Sequence, residues 1–498
     1  MIGEVLSIVF DPSHFGLIIF GATIGMVLGA IPGLSGGIAI TICLPMTFAM
    51  DTYTVICLMC GIWIGSASGS FIGSILLGIP GTSASLATTY DGYPLTRKGE
   101  PVRALSAGLV ANFMGTVPSL LVAFFLTPIL AQWAVKLGAW EYASMIFCAI
   151  MMVTGLAKGQ LFKGLIVAAF ALMLTTVGYS PISSTPRFVL NYYFSGGFSL
   201  VSVMMGMFAG RLIILEYAKG ERGGGEEKKV KVEGFRFPWN DIKQNFKNLN
   251  IPISFFIGQW VGFLPGMGGS LSNLLAYSVA KNRSKYPEEF GEGCIDGVFA
   301  PEVANNASVG GAVIPFLALG IPGDLVTALL LGALSIKGVF TGPLIFNTQP
   351  ELVYTVLGVL LIGAVFLVLL QAAGMRLLPM LLNVPYHYLY PLILVMVFIG
   401  AYTNGNNMFV LYCNLAFTLV GLFVSWADLP MGPFMLTFVL GSLFEEYLRK
   451  AVSYGRGDWS MFATRPVSCI LILVALYSCI QPYLKDWMQG MKKKRSDL

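Results

Sequence analysis

Apolar runs of membrane-span length recur from one end of the chain to the other, at 104–131, 142–157, 161–178, 198–217, 352–375, 388–402, 405–426 and 466–484. Each approaches the roughly 20 residues that cross a hydrocarbon core. They do not alternate apolar with polar positions, as the ~10-residue strands of a membrane barrel would, so the pattern predicts an all-α integral membrane bundle. Polar residues gather in one long stretch, Lys219 to Lys247, which contains GERGGGEEKKVKVEG. It reads as a solvated linker over 219–248, between a first membrane half, 1–218, and a second, 249–498. Eight Lys and Arg against five acids place this stretch in the cytoplasm. The terminal Lys492, Lys493, Lys494 and Arg495 argue the same for the C-terminus, while Arg449, Lys450, Arg456 and Arg465 pull against that assignment.

Within the apolar pattern, four interruptions stand out. Ile31-Pro32-Gly33-Leu34-Ser35-Gly36-Gly37 is followed by Gly78-Ile79-Pro80-Gly81-Thr82-Ser83, with 48 residues from Pro32 to Pro80. The second half has Leu264-Pro265-Gly266-Met267-Gly268-Gly269-Ser270 and then Gly320-Ile321-Pro322-Gly323-Asp324, with 57 residues from Pro265 to Pro322. Each second motif leads to a basic-glycine pair, Lys98-Gly99 or Lys337-Gly338. The shared order predicts two pseudo-symmetric repeats, set in inverted orientation, with helices broken or re-entrant at the Pro-Gly motifs.

Proline removes a donor and clashes with the preceding turn, and glycine tolerates positive φ, so each motif should stop a helix. Non-helical backbone at membrane depth is tolerated only against protein or beside a wet cavity. The four breaks should therefore converge. New half-helices would start near Ser35, Thr82, Ser83 and Ser270, turning free N–H groups and positive dipole ends toward an anion, while exposed carbonyls suit Na⁺. Candidate substrate-binding residues are Gly33, Ser35, Gly36, Gly37, Pro80, Gly81, Thr82, Ser83, Gly266, Gly268, Gly269, Ser270, Asn305, Asn306, Pro322 and Gly323. The competing reading of small residues at such spacing is close helix packing. Candidate cation-coupling residues are Glu302, Asn305 and Asp324, because an ionisable group inside a membrane is costly and marks function by default. Asn305 and Asn306 can serve a carboxylate or simply tie helices together. Asp324 can ligate Na⁺, carry a proton or cap a half-helix. Tyr90-Asp91-Gly92-Tyr93-Pro94 is expected to be a turn with Asp91 in solvent, and Arg97, Lys98 and Arg103 to snorkel or mark a loop.

Composition agrees: 56% of the 498 residues are hydrophobic, 11% are charged, and the mean hydropathy is +0.77. The natural partner of such a surface is a lipid bilayer. The net charge of +5 follows from topology and calls for no nucleic acid. Met1 to His14 does not read as a cleavable signal peptide, and the eight cysteines read as small buried hydrophobes. His14 and His387 are the only histidines, which leaves no histidine metal centre and little acid–base chemistry at neutral pH. With no HExxH, GxSxG or GxxxxGK[ST], neither a hydrolase nor a nucleotide-driven pump is indicated, no cofactor is called for, and no filter motif suggests a channel.

Gly29-Ala30-Ile31-Pro32-Gly33, Leu44-Pro45-Met46-Thr47-Phe48, Ile79-Pro80-Gly81-Thr82, Asp91-Gly92-Tyr93-Pro94, Ala300-Pro301-Glu302-Val303-Ala304-Asn305-Asn306-Ala307 and Leu319-Gly320-Ile321-Pro322-Gly323-Asp324 with Gly342-Pro343 together resemble the large, TctA-type subunit of the bacterial tripartite tricarboxylate transporters. The motifs span about residues 15–345. The resemblance implies a multi-pass permease of the bacterial inner membrane, not an enzyme. It would work with a small TctB-type membrane subunit and a periplasmic TctC-type substrate-binding protein, taking up citrate or another di- or tricarboxylate with Na⁺ or H⁺. The rival reading is a stand-alone organic-anion symporter, and the residues leave open whether the chain forms a homo-oligomer.

Overall fold

The computed structural model describes residues 2–31, 34–155, 161–180, 182–218, 232–266, 268–381 and 407–480, with Val395, Phe398 and Tyr402 besides. The run at 388–402 and the stretch 219–231 therefore fall largely or wholly outside the described residues. The chain is an all-α polytopic membrane protein: five described helices are long and apolar enough to cross a membrane, and several shorter apolar helices accompany them. Among the described residues, the strands are one antiparallel pair of two residues each, β1 (Gly178–Tyr179) and β2 (Pro186–Arg187).

Two compact units make up the chain, one from residues 1–132 with 208–406 and the other from 133–207 with 407–498. They do not follow the division at the polar linker. In the first unit, α1 (Ile2–Val9) leads to α2 (Pro12–Ala30), α3 (Gly36–Cys43), α4 (Thr52–Leu77), α5 (Leu86–Arg97) and α6 (Pro101–Ala134). In the second unit, α7 (Ala139–Gly155) and α8 (Leu161–Thr175) precede the β pair and α9 (Leu200–Met204); α10 (Arg211–Ala218), which follows a π-helical turn, belongs to the first unit. After the linker, α11 (Trp239–Lys247) leads to α12 (Asn250–Phe263), α13 (Gly268–Arg283), α14 (Asp296–Leu319), α15 (Leu325–Ile336), the short α16 (Ile345–Thr348) and α17 (Pro350–Ala373). One succession of helices, α1 to α6, thus precedes the second-unit segment and the linker, and another, α11 to α17, follows them.

Glycine decides how these helices pack. A side chain on Gly25 or Gly29 of α2 would run into the carbonyl of Ile62 or Ser66, and one on Gly65 or Gly69 of α4 into that of Ala22 or Met26. The two helices therefore meet backbone to backbone, where van der Waals contact replaces the hydrophobic drive that lipid cannot supply. Gly258 and Gly262 of α12 lie in the same way against the carbonyls of Ala304 and Ser308 on α14. At the centre, Asn306 ties four helices together through α4, α6 and a shared carbonyl. Its Oδ1 accepts from Ser68 Oγ at 3.0 Å and Thr116 Oγ1 at 3.1 Å, and its Nδ2 donates to Asn112 Oδ1 at 2.6 Å. The Ser68 carbonyl takes Asn112 Nδ2 at 3.1 Å and Gln371 Nε2 of α17 at 3.0 Å.

In the second unit, α7 and α8 pack on the helix Met431–Tyr454. Arg187 forms a two-pronged ion pair with Glu445, which also takes Arg449 Nε at 2.7 Å. Lys450 pairs with Glu446, and Arg465 Nη1 reaches Glu141 Oε1 at 3.0 Å. Three of the four basic residues that opposed the topological assignment are thus neutralised locally.

Candidate substrate and ion site

Each of the four interruptions leaves the helical path for a few residues, and each is followed by a new helix. Ile31, after α2, is extended (φ −78°, ψ 122°). Pro32 and Gly33 lie outside the described residues. Ser35 then caps α3, its Oγ accepting from Ile38 N at 3.4 Å. Helix α4 ends in left-handed Gly78 (φ 71°), and Thr82 Oγ1 accepts from Ala84 N at 3.2 Å to open the 3-10 turn into α5. Leu264 is extended after α12, and left-handed Gly266 (φ 78°) and Gly268 (φ 50°) bring the chain into α13; Met267 lies outside the described residues. Helix α14 ends in Gly320 at φ 70°, matching Gly78.

Asp324 opens α15 with a reciprocal cap: Thr327 N donates to Asp324 Oδ1 at 2.8 Å and Asp324 N donates to Thr327 Oγ1 at 2.9 Å. Of the three readings of Asp324, capping is the one its geometry displays.

The interruptions and the helix ends beside them touch one another in a ring. Gly37 packs under Leu325 and Leu329 of α15, with room for only a tight contact at 3.3 and 3.1 Å were it to carry a side chain. Gly323 O accepts from Gly266 N at 2.6 Å. Ser270 Oγ lies 2.6 Å from Ser83 Oγ, and a side chain on Gly81 would strike the Gly29 carbonyl. A side chain on Gly323 would likewise strike the Gly262 carbonyl of α12. Pro80, Thr82, Ser35, Gly269 and Ser270 are half-buried and Ser83 is exposed, so the ring has an open side. Gly36 lies against Ser66 Oγ, and Gly269 lies over Asn305 Oδ1.

Asn305 Nδ2 donates to the Ala67 carbonyl of α4 at 3.5 Å, so it bridges α14 to the middle of α4 below the ring. The Asn306 amide is fully used by the central tie described above. Glu302, one turn earlier, is fully buried. Its Oε1 accepts from Thr88 Oγ1 of α5, and its Oε2 has no partner among the described residues. Asn273 of α13 holds Thr88 in turn, donating to its Oγ1 at 3.3 Å and accepting Ala87 N at 2.9 Å. Sequence reading missed this Asn273–Thr88–Glu302 chain, because Thr88 and Asn273 lie 185 residues apart and only the fold brings them together.

Asp91 corrects an expectation. It lies inside α5, fully buried, not in a solvated turn. Its Oδ1 accepts Gly291 N and Gly293 N at 2.9 Å and Cys294 N at 2.7 Å, and its Oδ2 accepts the Tyr277 hydroxyl at 2.9 Å. Four donors replace the water a carboxylate would otherwise need, which is how a charge survives burial. Lys98, in the basic-glycine pair after α5, donates to the Glu292 carbonyl before α14, and Lys337 Nζ donates to the Phe48 carbonyl before α4 at 3.0 Å. Arg103, expected to snorkel, instead pairs with Asp241 and Glu100.

Comparison with known proteins places this arrangement. No solved structure matches the chain significantly. An uncharacterised 52.8 kDa protein in the TAR-I ttuC' 3' region of Agrobacterium vitis is 35% identical over 464 residues, 92% of this chain and 91% of its own length. An uncharacterised protein in the TAR-II ttuC' 3' region of the same organism is 39% identical over 223 residues, 45% of this chain and 92% of its own length. The model of the tripartite tricarboxylate transporter TctA family matches residues 15–436, across all four interruptions, and the chain therefore belongs to that family of transporter components.

Proposed function

We propose that this chain is the permease of a bacterial inner-membrane tripartite system that imports a small organic anion, citrate or another di- or tricarboxylate, by cation-coupled alternating access. The observation that carries the reading is the ring of four helix interruptions, from which α3, α5, α13 and α15 all start. A helix N-terminus presents unpaired N–H groups and about half a positive charge, so several of them around one opening suit a multiply charged carboxylate without a buried arginine. Asp324 already supplies the anion at α15; the ends of α3, α5 and α13, with Ser83 and Ser270 between them, are left for substrate. Asn306 acts from behind as a scaffold. Glu302, with Asn305 beside it, is the group we assign to the coupling ion, Na⁺ or H⁺, because a buried carboxylate with no cation partner is costly unless an ion joins it.

The two successions are read as inverted repeats with broken helices. Supporting this, left-handed glycines end α4 and α14, paired glycines meet at Gly81–Gly29 and Gly323–Gly262, and the two lysines reach across reciprocally, each from one succession to a carbonyl of the other. Two-fold related copies produce such reciprocity. Partners would be a small membrane subunit and a periplasmic binding protein, with self-association of the chain a further element of the assembly.

Uptake of radiolabelled citrate and other carboxylates into vesicles holding the chain and its small partner tests the reading, with and without the binding protein and under imposed Na⁺ or pH gradients. Accumulation that needs the binding protein and collapses with one gradient is the expected result. Accumulation without the binding protein would favour the stand-alone symporter, and gradient-independent leakage a channel.

A further inference from the structure

Helix α11 buries polar side chains and exposes aromatic rings beside its lysines. Its inner face carries Asp241 and Asn245, 8% and 0% exposed, while Trp239 and Phe246 on its outer face are 72% and 46% exposed. The inner polar groups are all satisfied. Asp241 takes Arg103 Nη2 at 2.7 Å and Nε at 3.1 Å at the start of α6, and Asn245, Asn248 and Asn250 donate to the Asp296 carboxylate at 3.0, 3.2 and 3.0 Å at the start of α14. The helix is thus fastened to two core helices through polar contacts, and its outside presents the two rings among exposed Asn240, Lys243, Gln244 and Lys247. Phe237 packs against Trp239 with ring centroids 4.5 Å apart and planes tilted by 48°, continuing the aromatic surface. Exposed Lys243 and Lys247 lie among these rings and enter no ion pair among the described residues. Aromatic rings interleaved with lysines match the headgroup level of a bilayer, where each ring keeps one side in hydrocarbon and each ammonium reaches a phosphate.

We propose that the outer face of α11 is a docking site for anionic phospholipid headgroups in the leaflet that carries the basic linker, anchoring the start of α14 at a fixed depth. This surface is separate from the transport reading above and stands without it. The commitment to lipid rests on charge complementarity and on the reversed burial, which a neutral or aqueous surround would not favour. The test uses the full chain in nanodiscs with acyl-brominated phosphatidylcholine or phosphatidylglycerol. The Trp239 fluorescence is isolated as the difference between the protein and its Trp239→Phe variant. The expected result is that brominated phosphatidylglycerol quenches Trp239 at roughly one-tenth of the abundance that phosphatidylcholine needs. The double variant Lys243→Gln with Lys247→Gln should abolish that preference while keeping the quenching. An unquenched Trp239, equal quenching by the two lipids at equal abundance, or quenching relieved by adding the small membrane subunit would each overturn the proposal, the last by giving the face to protein.

Discussion

At the residue scale, two carboxyl groups beside the ring have different tasks. Asp324 is satisfied as a cap, and asparagine caps as well as aspartate does. Asp324→Asn should therefore keep uptake within about twofold of the parent and leave its ion dependence unchanged. Glu302 has one oxygen without a partner among the described residues, and glutamine cannot take up or release a charge there. Glu302→Gln should cut gradient-driven accumulation by ~10-fold or more while exchange of substrate across the membrane continues. Measuring both activities in one vesicle preparation checks the pair; gradient-driven accumulation at the parent level in Glu302→Gln would remove the ion from that site. Glu302 was legible in the sequence because an acid in an apolar run is conspicuous by itself. Asp91 was not, because the donors that let it be buried, Gly291, Gly293 and Cys294, lie about 200 residues further along and only the fold brings them near.

At the element scale, glycine plays two parts that substitution can separate. In the middle of α4, Gly65 lets α2 approach, and Gly65→Ala forces a methyl group against the Ala22 carbonyl. The expected result is a loss of thermal stability of order 1–3 kcal/mol, read by melting in detergent, as for overpacked cores. At an interruption, Gly81→Ala pushes equally hard on the Gly29 carbonyl of α2, so the two positions are told apart by uptake. It should insert with a stability loss like that of Gly65→Ala yet, unlike that variant, lose most of its uptake, as should Gly323→Ala. Parent-level uptake in both would deny the interruptions a part in transport. The interruptions were readable in advance because Pro and Gly act on their own backbone. The partner of each glycine stripe was not, since spacing says that a face is smooth and not which helix lies on it. The linker held a similar surprise: 239–247 is a helix, fixed by Arg103 and Asp296, neither of which is near it in sequence.

At the scale of the molecule, the account rests on the ring acting as one site whose sides separate during transport. The two successions meet there through Ser83 and Ser270, 187 residues apart in sequence with their hydroxyls 2.6 Å apart. The compact units could not be foreseen from the linker, because the chain leaves the first unit near residue 132 and returns near 208, within the sequence half that the linker closes. The most direct measurement is uptake by the Ser83→Cys, Ser270→Cys double variant before and after oxidation, and again after reduction, with the parent treated in parallel because it has cysteines of its own. The account predicts that a disulfide between the two positions stops uptake and that reduction restores it, since the site can no longer open between its halves. Full uptake by the cross-linked protein would contradict it.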